Sequence, residues 1–234
     1  MTTAPGAARD RRPTPVVRAA VADRRRLRAG AGAAAGLLRR PVRERSDPYT
    51  GSRFEHLGGG GDRPPVMNTV TAEDLLAVQT LSVTIPSQVA LDLLEGDLGR
   101  RISALLSRIP HDLDMVDADA ADLEPGSPAD DAWRLLLKQD GIGWVKAGKL
   151  LARKRPRLLP VYDEVVKCLV GRPKSYWLGL HGALRADDRA LHRELLELRA
   201  SAGLSETVSA LRVCDVVLWT HHRDDHRRRG CAGG

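Results

Sequence analysis

Residues 141–163 read GIGWVKAGKLLARKRPRLLPVYD. Gly141 and Gly143 permit positive φ, so the chain can reverse there in very few residues. The apolar positions Val145, Ala147, Leu150 and Leu151 then recur at helical spacing, which predicts a helix from about Trp144 to Arg153. Lys146, Lys149, Arg153 and Lys154 fall on its polar face. Pro156 and Pro160 bracket an extended link with Leu158 and Leu159 turned inward. Asp163 opens a further helix through Val165, Val166, Leu169 and Val170, a position where aspartate is a strong N-cap. Upstream, Trp133, Leu136 and Leu137 give the end of another amphipathic helix, for which Asp130 or Asp131 is the expected cap. The stretch is therefore a helical hairpin followed by a capped helix.

A glycine turn feeding a helix leaves several backbone N–H groups pointing outward. With the positive end of the helix dipole they favour an anion. Nearby lysines add long-range attraction for phosphate. Such contacts read the nucleic-acid backbone rather than its sequence. The expected partner is DNA, held through its phosphates by Gly141, Gly143, Trp144, Lys146 and Lys149. Asp140 places an opposing negative charge beside this site.

Gly141-Ile142-Gly143, with Ala147 four positions on and Asp163 twenty residues after Gly143, resembles the helix-hairpin-helix DNA glycosylase superfamily. The resemblance covers about residues 129–170. It implies a glycosylase-like helical bundle in which Asp163 is the catalytic residue, stabilising the positive charge that develops on the sugar. The target base would be flipped into a pocket near Trp177 or Tyr162. Bifunctional members carry a lysine two residues after the second hairpin glycine. Val145 stands there, so no lyase activity is expected. Cys168, Cys214 and Cys231 are too few and too scattered for the iron–sulfur cluster of some members. The usual Leu-Pro before the first glycine is replaced by Gln139-Asp140. From about Tyr49 onward the chain is also similar to a bacterial family of uncharacterised function, through PYTGSRFEHLGGGGDR, RKRPRLLPVYD and LRVCDVVLW, a likeness that implies an extent and no activity.

Toward the N-terminus, Thr71 and Asp74 form an expected capping box for a helix with Leu75, Leu76, Val78 and Leu81 on its apolar side. Further helices are predicted over Ser87–Leu94 and Leu98–Arg108. Gly58 to Gly61 reads as a flexible connection, with no Lys-Ser/Thr to make it a phosphate loop; Arg53, Glu55 and Arg63 are lesser site candidates. Residues 110–128 are acidic but lack the calcium-loop pattern and read as a solvated loop. Toward the C-terminus, Asp187 to Arg199 and Glu206 to His221 are expected helices. Asp215, inside an apolar run, needs a partner, and Arg212 is the nearest; a structural ion pair is the first reading and a second active-site carboxylate the lesser one. Tyr176 and Trp177 read as core anchors, with base stacking as the alternative. His222 and His226 lie in an expected frayed tail rather than a metal site.

The expected architecture is all-α: a disordered basic arm over 1–47, one helix-hairpin-helix domain over 48–223, and a disordered tail over 224–234. Net charge is +7, but residues 1–45 hold twelve arginines against Asp10, Asp23 and Glu44, so the remainder carries −2. The basic character belongs to the arm, which is either a nucleic-acid tether or a dispensable extension. No apolar run reaches membrane length, and no secretory segment is evident. Three cysteines without paired spacing give no disulfide framework. These features predict a cytoplasmic protein with no membrane association, no metal and no cofactor. They leave oligomeric state open. A non-catalytic helical scaffold is the alternative function.

Overall fold

The computed structural model describes residues 32, 34–37 and 49–229. The basic-arm expectation falls almost wholly outside them; within it, Ala34 is buried against the core. Helices are the regular structure of the described residues, among which there is no strand. In chain order the helices are α1 (Ala72–Gln79), α2 (Ser87–Glu95), α3 (Asp97–Leu106), α4 (Pro128–Leu137), α5 (Trp144–Lys154), α6 (Glu164–Val170), α7 (Tyr176–Ser201) and α8 (Ala210–Arg229). Neighbours in sequence pack in pairs, α2 on α3, α3 on α4, α4 on α5 and α7 on α8. The chain then closes on itself through α1 against α5 and α6 against α8.

Local chemistry sets the boundaries. Thr71 and Asp74 do form a reciprocal capping box at α1. Ser127 caps α4, with Pro128 in its first turn. Asp130 and Asp131 lie inside the helix instead, where they suit the positive end of the dipole. α7 begins at Tyr176, eleven residues before the expected start. It is interrupted at Ala186–Arg189, where Asp187, Asp188 and Arg189 take positive φ of 50°, 54° and 60°. α8 begins at Ala210 and runs on to Arg229, past the expected end at His221. Arg228 and Asp225, three residues apart, are paired in its last turns. Leu76, expected on the apolar side of its helix, is about half exposed, as is Leu91, while Ala77, Val78, Val89 and Leu93 fill the core side.

The cations of the basic helix are its largest departure from expectation. Arg153 and Lys154 leave the solvent face and, with Arg155, are buried to 1 % exposure or less. Arg153 donates to Asp74 Oδ1 (2.9 Å) and to the carbonyls of Phe54, Glu55 and Leu57. Lys154 uses its three protons on Val66 O, Thr69 O and Asp74 Oδ2. Arg155 donates to Leu106 O, Ile109 O, Met67 O, Lys154 O and Asn68 Oδ1. Residues 54–69 have almost no regular structure, so their buried carbonyls need donors from elsewhere, and this cation run supplies them.

The glycine run is consequently part of the packing and not a flexible connection. A Cβ on Gly61 would sit 2.5 Å from Arg153 O and 2.7 Å from Asp74 Oδ1. Of the lesser candidates, Arg63 folds back on Gly60 O, and Glu55 is held by the Ser209 hydroxyl at 2.9 Å. The acidic stretch is also tied down, by Arg157 on Asp114 and Arg189 on Asp117. Cys214 is a buried free thiol, whereas Cys168 is disulfide-bonded, contrary to the expectation from spacing.

Candidate functional site

α4 and α5 pack together across the turn 138–143. Gly141 is exposed with φ +73°, and a Cβ there would meet Pro86 Cγ at 2.8 Å. Both the left-handed backbone and the close approach exclude a side chain. Gly143 is the N-cap of α5 and is exposed. The first amide satisfied within the helix is that of Ala147, which donates to Gly143 O. Lys146 stays at this end, its Nζ donating to Gly141 O at 2.8 Å. Trp144 is half-buried, its ring 5.1 Å from that of Tyr162 and beneath the Lys167 ammonium at 5.2 Å.

Beyond this point α5 and the link after it separate two cavities. Val145 and Lys149, one turn apart, line the first, while Trp144 and Gly148 line the second. The extended link repeats the division with period two: Val161 and Asp163 face the first cavity, Pro160 and Tyr162 the second.

The first cavity encloses about 430 Å³. Asp163 caps α6 there, Oδ1 accepting from Val165 N and Val166 N at 3.1 Å each. Its Oδ2 faces Lys149 Nζ at 3.5 Å. Lys149 is 4 % exposed and also donates to Leu81 O at 2.9 Å. It is thus a cavity residue beside Asp163 and does not share the exposed face with Lys146. From α8, Arg212 and Asp215 line the same wall and are paired, as expected from their spacing. Arg212 also donates to Tyr49 Oη and Gly51 O, which fastens residues 49–51 over the cavity. Burial pushes the Asp215 carboxyl up to about 6; Arg212 and Lys149 oppose this and Asp163 adds to it, so the four charges act on one another. Tyr49 and Trp219, 5.4 Å apart, and Arg223 complete the mouth.

The second cavity, about 360 Å³, holds Trp177 and Tyr162. Asp163 and the aromatic residues expected beside it are therefore not in one pocket. Among the described residues no cluster of three or more His, Cys, Asp or Glu could hold a metal ion. No described helix is long and apolar enough to cross a membrane. Lys149, Arg212 and Tyr49 were not foreseen as companions of Asp163, whereas a second active-site carboxylate was the lesser of the two readings of Asp215. The one usable signal was spacing: Lys149 lies four residues after Val145, hence on its face of the helix.

Residues 34–222 match the model of a family of unknown function, DUF6308, and the chain belongs to that family. The match begins fifteen residues before Tyr49 and includes the described segment at Ala34. No curated protein and no solved structure matches the chain.

Proposed function

We propose, from geometry because family membership assigns no activity, that this chain binds DNA through its backbone and cleaves a base from the sugar in the Asp163 cavity. The observation that carries the reading is the placement of Asp163 on the wall of a cavity of about 430 Å³ that Val145, in the first turn of α5, also lines. Phosphate would meet the outward amides at Gly143–Lys146 and the Lys146 ammonium. A nucleotide turned out of the duplex would then enter beside Val145, Lys149 and Asp163.

In the cleavage step the bond from C1′ to the base nitrogen breaks and its electron pair leaves with the base. The positive charge on the sugar develops next to the Asp163 carboxylate, and water supplies the new C1′–O bond, releasing its surplus proton to solvent. Asp215, whose proton is retained up to about pH 6, is the group in the cavity suited to protonating the departing base.

The activity would be monofunctional. Lys149 brings its side-chain nitrogen into the cavity, but Asp163 and Leu81 O already engage it there. Borohydride trapping on DNA with an abasic site is expected to yield no covalent adduct, and an adduct lost in Lys149→Met would reverse that assignment. The main test is base release from duplexes carrying single modified bases. Release by the native chain and its loss in Asp163→Asn is the expected result; release undiminished by that change removes Asp163 from the chemistry. The non-catalytic scaffold is supported by a specific observation, since capping α6 and pairing with Lys149 already occupy both Asp163 oxygens. It predicts no base release, together with a loss of stability in Asp163→Asn.

A further inference from the structure

The chain has eight aromatic residues: four Trp, three Tyr and one Phe. Phe54 lies in the core at 1 % exposure. Tyr49 and Trp219 line the Asp163 cavity, and the other five, Trp133, Trp144, Tyr162, Tyr176 and Trp177, line the second cavity. A chain this poor in aromatics would be expected to spend them on core packing, where each buries a large area. Here only Tyr176 of the five is buried, and the others are half-buried around an open cleft.

The cleft presents flat surfaces. Tyr162 stacks on Tyr176 with centroids 4.2 Å apart and an 18° tilt. Trp144 leans on Tyr162, and Trp133 meets Trp177 edge-on at 6.5 Å. Its polar groups carry a surplus of positive charge. Asp130 is already engaged, accepting from Gly126 N at 2.9 Å and Arg134 Nε at 2.6 Å. Arg134 and Lys174 are exposed at the rim, and Lys167, paired with Glu164 at 2.8 Å, sits over the Trp144 ring, so the surplus is the single charge of Lys174. A cation such as a quaternary ammonium is disfavoured, because the carboxylate it would need is neutralised and one ring face already holds an ammonium. A planar ligand with an attached anion suits both features, and about 360 Å³ lies within the usual range for small-ligand sites.

We propose that this cleft is a nucleotide-binding site, in which a base stacks among Trp144, Tyr162 and Trp177 while its phosphate meets Lys174 and Arg134. It is separate from the Asp163 cavity, holds no carboxylate free for chemistry, and does not depend on the function proposed for that cavity. The same chemistry is offered by a free mononucleotide and by one residue of a single strand passing Trp144.

Fluorescence quenching in the full chain tests this, in a Trp219→Phe background so that the signal comes from the cleft. The probes are adenosine monophosphate and a short single-stranded oligonucleotide. At least one is expected to quench, and which of them does identifies the source. Trp177→Leu should weaken that binding by roughly 5- to 150-fold, the usual worth of one stacked base. Lys174→Glu changes an exposed side chain and keeps the fold, and should weaken it about tenfold. Asp163→Asn should leave it unchanged. Quenching by neither probe, binding indifferent to both Trp177→Leu and Lys174→Glu, or tighter binding of tetramethylammonium would each overturn the proposal.

Discussion

The two ends of α5 carry the same kind of side chain for different purposes. At its C-terminal end Arg153 and Lys154, with Arg155 just beyond, are buried and donate to the carbonyls of distant loops. At its N-terminal end Lys146 donates to its own turn, and Lys149, midway along the helix, lines an open cavity while also donating to Leu81 O. Counting cations in the sequence gives one basic helix; counting their partners gives a structural staple and a cavity-facing end. A cation becomes structural when an irregular segment brings it more carbonyls than the segment can satisfy alone.

The comparison is broken most easily at Asp74, the carboxylate that Arg153 and Lys154 share with no exposure of its own. Asp74→Asn leaves two buried cations short of a counter-charge and should cost about 3–5 kcal/mol in denaturant unfolding. A cost below about 1 kcal/mol would mean that the staple is not structural. A second strong effect is expected from pH. Burial pushes Glu55, which belongs to the segment Arg153 holds, up to about 7. Its folded pKa lies above the unfolded value, so the native state holds a proton that the unfolded chain releases. Stability should therefore be greatest below about pH 4.5 for this group and fall as pH rises toward 7, by on the order of 3 kcal/mol. Unfolding midpoints across that window should show the slope, and Glu55→Gln should flatten it.

Smaller effects are expected at the cavity-facing end. Asp163→Asn weakens the cap of α6 and the pairing with Lys149 and should cost about 1–2 kcal/mol. The cost of Lys146→Ala should stay within about 0.5 kcal/mol, as for an ordinary surface position. If Lys146→Ala destabilised the fold as much as Asp74→Asn, the division of α5 into two roles would be lost.

Much of the helical order was legible in sequence because it rests on local rules. The Thr71–Asp74 capping box, the reversal at Gly141–Gly143, the Asp163 cap and the Arg212–Asp215 pair each span a few residues. What was not legible depends on segments far apart in the chain. Arg153 reaches Phe54 O across ninety-nine residues, and nothing near Arg153 marks it for burial. The same holds for the fixing of the glycine run by Gly61. The separation of Asp163 from Trp177 and Tyr162 was legible in principle, since alternation along an extended link sends Tyr162 and Asp163 to opposite sides. Applying it required knowing that both sides of the link are hollow.

The most direct test of the account is DNA binding by the full chain at two salt concentrations, beside Gly143→Asp and Arg155→Lys variants. Binding that weakens steeply with salt, is lost in Gly143→Asp and survives in whatever fraction of Arg155→Lys remains folded would place phosphate at the N-terminal end of α5, as the account predicts. Binding that Gly143→Asp leaves intact would contradict it.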